Sequence, residues 1–339
     1  MDASGLSRYK TPLAVVTVLI LIWAVLGALD VRNQTYRGYV TDGNNTITGI
    51  DDGGPADLAG LEVGDYIGSI GGIAVEDVRA TAARGRATIG EVRTIEVERG
   101  GQVVSLDLRY VALTTNAALN YYGGIVVGIL FLAFGVWAFL AAPNRATALL
   151  AALGISLSPA LTVGPYFESA SVRTAVGVVV FLVVTAGFAF LTHFLCVFPK
   201  KKRALERSNM IWVLYGPAIA VGLLAVWLLV LQPAATSSVN VFFRALFGLF
   251  VVAYFGTSLI AMLHSYFKAS SRDRAASGLN LLLVGAVIGL GPSIVISIVG
   301  LVAPQVVVPG AQFLPLGVGL LPVLFAIAAV RGSRAQQVA

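Results

Sequence analysis

The chain contains 339 residues, of which 57% are hydrophobic and only 12% are charged. This charged share is about half that of an ordinary soluble domain, so the composition excludes a water-soluble globular fold. The formal net charge of +6 is unevenly placed: residues 30–112 carry 8 Lys/Arg and 13 Asp/Glu, whereas the remainder carries 15 and 4. Because the basic excess flanks apolar segments, where it sets membrane topology, we expect no nucleic-acid partner.

Eight apolar segments run along the chain, most of them near the length of about 20 residues that a helix needs to cross a bilayer. They predict a membrane all-α helical bundle of about eight transmembrane helices, with a small α+β domain inserted after the first one. The lipid bilayer is then a partner of most of the chain. The predicted spans are residues 12–29, 120–142, 146–166, 172–198, 211–231, 241–267, 278–302 and 313–330.

Basic residues alternate along the predicted loops. With the N-terminus in the cytoplasm, 13 Lys/Arg fall on the cytoplasmic side, whereas the short outer loops and their edges carry Arg173 and Arg244. The positive-inside rule then places both termini in the cytoplasm. The first segment is read as an uncleaved helix, with a cleaved signal peptide as the alternative; either way the following domain is exported.

This topology divides the chain into four predicted parts. They are an N-terminal transmembrane helix (1–30), an extracytoplasmic domain (31–112), a seven-helix membrane module (113–331) and a short cytoplasmic tail (332–339). Within the module, Gly124 and Gly128 are four residues apart, as are Gly285 and Gly289. This spacing suits close helix–helix contact in membranes, although an Ala/Gly/Val-rich sequence also contains such pairs without a special role.

The hydrophobic pattern changes to short alternating stretches in residues 37–110. Glycines and aspartates separate these stretches, which is typical of strands and turns. In chain order, the predicted elements are a strand at 47–50, a short helix from Pro55 to Gly60, a strand at 66–70, a helix at 75–84 and a hairpin of 94–99 with 103–109. Gly100-Gly101 supplies the turn of this hairpin.

One run within this segment has a distinctive spacing, and Val97-Glu98-Arg99-Gly100-Gly101 closes the pattern. The residues of the run are Gly54, Pro55, Ala56, Ala59, Gly60, Leu61, Gly64, Asp65 and Ile67. This signature resembles that of bacterial PDZ domains. The resemblance implies a small α+β domain that binds a peptide or protein C-terminus as an added strand on an open sheet edge.

The same resemblance implies where the ligand would bind. Its terminal carboxylate would contact the loop Arg37-Gly38-Tyr39-Val40, in which Gly38 allows close backbone approach. The groove would lie between the strand that starts at Tyr39 and the second helix, with Val78 and Ala82 as its floor. The alternative is a rigid cap or contact surface that binds no free peptide.

The sequence offers no recognisable active site. A chymotrypsin-like protease needs a histidine beside its serine, and residues 31–112 contain none. The two histidines, His193 and His264, are far apart in the chain and lie outside any metalloprotease motif. A metal site that includes His193 and Cys196 is the less favoured interpretation; interfacial histidines bonded to local carbonyls are the simpler one. We therefore expect no catalytic residue, no metal and no cofactor.

The membrane module contains four short motifs, which are Asn120-Tyr121-Tyr122, His193-Phe194-x-x-x-Phe198-Pro199, Leu290-Gly291-Pro292-Ser293 and Leu320-Leu321-Pro322-x-x-Phe325-Ala326-x-Ala328-x-x-Arg331. In their order, the module resembles the sensor region of bacterial receptor histidine kinases of the competence quorum-sensing type. Such receptors continue into cytoplasmic kinase or phosphatase domains. Only eight residues follow Arg331, so we expect no kinase activity and an output that passes to a partner protein.

Together these features predict a sensor or adaptor in the bacterial cytoplasmic membrane. Its exported domain would bind a peptide or protein C-terminus, and a cytoplasmic or membrane partner would carry the signal onward. Two alternatives remain open at this point. One is a transporter or channel subunit with a regulatory outer domain, and the other is a structural scaffold for a neighbouring membrane enzyme.

Overall fold

The computed structural model describes residues 10–42, 44–207, 209–234, 237–302 and 316–338. Within these residues, apolar helices form a bundle, and a small α+β domain follows the first helix. The apolar helices are α1 (Lys10–Asp30), α4 (Thr115–Ala141), α5 (Arg145–Leu161), α6 (Ala170–Val197), α7 (Met210–Leu231), α8 (Ser238–Lys268), α10 (Leu279–Val302) and α11 (Leu320–Val338). A short helix, α9 (Ser271–Ser277), connects α8 to α10.

Six stretches of the described chain are long and apolar enough to cross a membrane. They are α1 with its following turn, α4, α6, α7, α8 and Leu316–Arg334, which contains most of α11. Two shorter apolar helical stretches are α5 and Leu279–Gly289, which is the first part of α10. The chain therefore has the helices of a membrane protein, but the predicted number of about eight spans is confirmed for six. Residues 313–315 of the last predicted span lie outside the described residues.

The predicted span at 146–166 extends too far. Helix α5 begins after Asn144, whose side chain accepts hydrogen bonds from the backbone N–H groups of Ala146 and Thr147 at 2.8 and 3.1 Å. It ends at Leu161, and the following residues up to 169 form no regular helix. Pro165 explains part of this difference, because a proline disfavours helical backbone at the residue before it. Tyr166 therefore lies in a loop at the end of the bundle.

The glycine pairs lie at close helix contacts. A Cβ atom on Gly128 would be 2.6 Å from the Thr162 side chain, and one on Gly124 would be 3.0 Å from the Leu161 carbonyl oxygen. In α10, a Cβ on Gly289 would be 2.7 Å from the Leu321 side chain of α11. The close-contact interpretation therefore holds at these positions, because they leave no room for a side chain, and the alternative of glycines without a special role is wrong for them.

The loops predicted to be cytoplasmic come together at one end of the bundle. The Asn144 side-chain amide donates to the Ser333 hydroxyl at 2.7 Å, which joins the start of α5 to α11. A Cβ on Gly332 would be 2.9 Å from both the Phe198 ring and the Ser277 carbonyl oxygen. Lys202 donates to the Ser265 hydroxyl of α8. The α+β domain lies at the other end, against the loop after α5.

The described residues of the α+β domain form eight short strands and two short α-helices. Helix α2 (Pro55–Leu58) has proline in its first turn, and α3 (Val78–Arg84) begins after Asp77, whose side chain accepts from the Ala80 N–H at 2.9 Å. The strands are β1 (Thr35–Tyr36), β2 (Tyr39–Thr41), β3 (Ile47–Ile50), β4 (Tyr66–Ile70), β5 (Ile73–Ala74), β6 (Val92–Arg99), β7 (Gln102–Arg109) and β8 (Val111–Ala112).

The strands form three antiparallel sets among the described residues. The largest is a four-stranded sheet in the order β5-β4-β6-β7, and β2 pairs with β3 while β1 pairs with β8. Alternate residues such as Ile67, Ile95, Val97 and Leu108 face a shared core. The predicted strands and hairpin are confirmed. The second helix is shorter than predicted, because Ile73–Ala74 pair with β4 before Asp77 caps the helix.

Candidate functional site

The signature residues build the frame of the α+β domain. Pro55 opens α2, while Ala56, Leu61 and Ile67 are fully or almost fully buried in the core. Asp65 is 1% exposed and accepts hydrogen bonds from Arg99 Nε and Nη2, both at 2.8 Å. The same guanidinium also donates a hydrogen bond to the Gly60 carbonyl oxygen at 2.8 Å. These residues hold the turn after α2 against β6, so their role in this structure is architectural.

The predicted carboxylate loop lies at the start of β2. Gly38 has φ +74°, and a Cβ there would be 2.9 Å from the Pro55 ring, so this position requires glycine. Tyr39 is buried in the core, whereas Val40 is 62% exposed. Strand β2 pairs with β3 on one side, and no described strand pairs with its other edge. This edge of β2 is therefore free to pair with an added strand.

The predicted groove residues Val78 and Ala82 lie one turn apart on α3, and both are half-buried. Their spacing puts them on the same face of the helix. The Ala82 carbonyl oxygen is engaged by Arg173 of the membrane module. Their proposed role as the groove floor stays a prediction.

Arg84, the last residue of α3, is a candidate that the sequence reasoning missed. The positive charge of Arg84 opposes the rise that burial causes in the pKa of both Tyr39 and Tyr110. Burial raises the pKa of Tyr39 above its ordinary value, and the charges of Arg37 and Arg84 oppose this rise. Burial lowers the pKa of Arg84, and the like charge of Arg93 adds to the effect. In the sequence, the only feature that pointed to Arg84 was its place as a basic residue at the end of the predicted helix 75–84.

Unsatisfied polar atoms concentrate in this region. In the described part of the chain, five buried side-chain polar atoms have no hydrogen-bond partner, and three of them are Tyr39 Oη, Thr81 Oγ1 and Arg84 Nε. Arg84 donates to the Ile70 carbonyl oxygen, and the Arg37 guanidinium stacks 4.5 Å from the centre of the Tyr39 ring. Among the described residues, neither arginine has a carboxylate within ion-pair distance. An anion placed there would satisfy groups that are otherwise costly to bury.

The His193 side chain has polar partners on two other helices. The His193 ring nitrogens contact the Arg145 guanidinium at 3.1 Å and the Tyr215 hydroxyl at 2.8 Å. The simpler interpretation of local carbonyl partners is therefore wrong for His193, which instead joins three helices. No group of three or more His, Cys, Asp or Glu residues that could hold a metal ion occurs within the described ranges.

Comparison with known families supports the first resemblance. Residues 46–99 match the PDZ domain family. Neither a curated protein nor a solved structure gives a significant match to the chain. The matched segment starts after β2, so it covers the signature residues and α3 but not the loop 37–40. Residues 46–99 are thus similar to PDZ domains, within a chain that also carries six helices able to cross a membrane.

Proposed function

We propose that this chain is a membrane-anchored receptor or adaptor whose PDZ-like domain binds the C-terminus of a peptide or protein. PDZ domains in general bind C-terminal segments along an open strand edge. The domain would face the outside of a bacterial cytoplasmic membrane, since the basic loops lie at the opposite end of the bundle. The membrane helices would then carry the binding event to a signalling partner.

One observation supports this proposal: Tyr39 begins a strand with an unpaired edge, its hydroxyl and Arg84 Nε are buried without hydrogen-bond partners among the described residues, and the Arg37 guanidinium lies 4.5 Å from the centre of the Tyr39 ring. A terminal carboxylate can accept charge-assisted hydrogen bonds from both guanidinium groups and from the hydroxyl. The rest of the peptide would pair with β2. In this proposal the C-terminus ends beside Tyr39, which begins β2 and whose hydroxyl has no partner among the described residues.

Titration of the full chain in lipid nanodiscs with a library of C-terminal peptides tests the proposal. Each peptide is used with a free carboxylate and with an amidated C-terminus. We expect binding that requires the free carboxylate. We also expect Arg84→Gln to weaken that binding about tenfold or more, because hydrogen bonds to charged groups contribute roughly 1.5–3 kcal/mol each.

The matched control is Arg109→Gln, since Arg109 is exposed at the end of β7. This variant should bind peptides as the unchanged chain does. Amide hydrogen exchange of β6 and β7 verifies that both variants keep the folded domain. Equal affinity for the acid and amide forms, or no binding at all, would leave the domain as a cap on the membrane module.

A further inference from the structure

Helix α3, which would form one wall of the groove, also contacts the membrane module directly. Near its start, the Arg79 guanidinium donates to the Leu231 carbonyl oxygen at the end of α7, at 3.0 Å. Near its end, the Ala82 carbonyl oxygen accepts from the Arg173 guanidinium at the start of α6. Two membrane helices therefore hold the element that would close over a bound peptide.

A cluster of four residues, here called the docking cluster, fixes the chain just after α3. It consists of Asp30, Arg86, Tyr166 and Arg173. The Arg86 guanidinium donates to both carboxylate oxygens of Asp30, at 2.6 and 2.8 Å, and its backbone N–H donates to the Tyr166 hydroxyl at 2.9 Å. The Tyr166 ring lies 4.6 Å from the Arg86 guanidinium and 4.9 Å from that of Arg173.

Gly85 lets the two parts of the chain come this close. Its φ is +77°, and a Cβ there would be 2.8 Å from the Tyr166 hydroxyl. Arg84 immediately precedes this glycine, and Arg86 immediately follows it. The docking cluster therefore determines where the end of α3 lies, and with it the position of the Arg84 side chain.

We infer that Tyr166 and Arg173 of the membrane module are positioning residues for the peptide groove, and that occupancy of the groove is coupled to α6. The inference depends on the proposed peptide binding. A ligand that draws Arg84 towards its carboxylate shifts the end of α3 relative to the docking cluster. Because coupling between two sites is reciprocal, a cluster that favours the binding position of α3 raises peptide affinity, and the peptide in turn acts on the cluster.

Helix α6 connects this cluster to the basic end of the bundle. Arg173 lies in its first turn and Cys196 in its last, a distance of about 35 Å at 1.5 Å per residue. His193, one turn before Cys196, contacts Arg145 of α5 and Tyr215 of α7. Cys196 is the single cysteine of the chain and is half-buried, so its reactivity reports movement at this end without any engineered label site.

The test compares Tyr166→Phe and Arg173→Gln with matched controls in the full chain in nanodiscs. Tyr166→Phe removes the hydrogen bond to Arg86 but keeps the ring. Its control is Tyr122→Phe at the exposed Tyr122 of α4, and the control for Arg173→Gln is Arg109→Gln. The probe is the tightest-binding free-carboxylate peptide of the library, and the second readout is the rate at which a small maleimide labels Cys196.

We expect both docking-cluster variants to lower peptide affinity about fivefold or more, a typical coupling between sites. The peptide should change the Cys196 labelling rate in the unchanged chain and in the controls, but not in the two variants. Variants that bind like the unchanged chain would overturn the positioning role. A labelling rate that does not respond to bound peptide in the unchanged chain would overturn the coupling.

Failure of the proposed function has a different signature, since the unchanged chain would then bind no peptide. Hydrogen exchange in the peptide-free chain then tests, by itself, whether the docking cluster holds α3 in place. Faster exchange of the 78–84 amides in Tyr166→Phe than in Tyr122→Phe supports it. Equal exchange in the two variants contradicts it.

Discussion

At the level of single residues, polar groups of the PDZ-like domain fall into two kinds. Asp65 is enclosed and fully engaged by Arg99 and by the Glu62 N–H at 2.9 Å. Tyr39 Oη and Arg84 Nε are buried without partners in the described chain. The first kind stabilises the fold, because its hydrogen bonds are already made. The second kind is suited to a ligand that supplies the missing acceptor.

Asp65→Asn should destabilise the domain, because an amide cannot accept two hydrogen bonds from Arg99 as a charged carboxylate does. We expect amides of β4 and β6 to exchange about tenfold faster or more, from the usual effect of losing hydrogen bonds to a charged group. The exposed Asp52→Asn is the control and should leave exchange unchanged. Unaltered protection in Asp65→Asn would contradict the architectural role.

Acid should weaken the same domain. Hydrogen bonding from Arg99 lowers the pKa of Asp65 below 3.8, and hydrogen bonding from Arg93 lowers the pKa of Glu91 to about 2. Both native pKa values lie below the unfolded values, so the contribution of these groups is fully present above about pH 4.5. It is lost as the pH falls through the native values. The loss is measured by comparing the exchange of β6 amides between pH 5 and pH 2 in the unchanged chain and in Asp65→Asn. If acid changed the exchange of both proteins equally, the contribution of Asp65 would be contradicted.

At the level of elements, helix packing depends on a few positions where two backbones nearly touch. Gly128 faces the end of α5, where a Cβ would be 2.6 Å from the Thr162 side chain and 3.0 Å from the Ser158 carbonyl oxygen. A Cβ on Gly177 of α6, by contrast, would meet no neighbouring atom within 4 Å. The two glycines therefore separate the effect of packing from that of helix propensity.

Gly128→Ala should destabilise the bundle by about 1–3 kcal/mol, as overpacking of a tight contact does. Gly177→Ala should be neutral or stabilising, because alanine favours the helix by up to about 1 kcal/mol over glycine. Thermal unfolding of the two purified variants in the same detergent measures both. A lower unfolding temperature for Gly177→Ala than for Gly128→Ala would contradict the packing assignment.

At the level of the whole molecule, one end of the bundle holds the PDZ-like domain and the other holds the basic loops. Contacts from Asn144, Gly332 and Lys202 gather the chain segments at the basic end. The docking cluster holds the domain at the opposite end. A membrane across the apolar helices would put these two ends on different sides.

Cysteine labelling tests this orientation. In a Cys196→Ser background, Val103→Cys places a thiol at an exposed position of β7, and Lys201→Cys places one in the basic loop. A membrane-impermeant maleimide added to intact spheroplasts should label Val103→Cys, and should label Lys201→Cys only after lysis. The reverse pattern would put the PDZ-like domain in the cytoplasm and exclude a receptor for external peptides.

Local patterns predicted most of the elements correctly. Alternation and glycine turns located β3, β4 and the β6–β7 hairpin, because these signals arise from neighbouring residues in the chain. Boundaries were less accurate: α5 stops at Leu161 and α3 starts at Val78. Pro165 follows the end of α5, and a strand pair and the Asp77 cap precede α3. These local features override the hydrophobic pattern at the two boundaries. Of the eight predicted spans, six correspond to helices in the described residues that are long and apolar enough to cross a membrane.

The sequence by itself determined the apolar helices and the inserted PDZ-like domain, since these depend on composition and local spacing. Only the tertiary structure revealed that the glycine pairs lie at close contacts, that Tyr39 Oη and Arg84 Nε are buried without partners among the described residues, and that Asp30, Arg86, Tyr166 and Arg173 meet. These residues lie up to 143 positions apart in the chain. Interactions between distant charges and hydroxyls leave no periodic pattern, because they depend on where loops bring the ends of separate elements together in space.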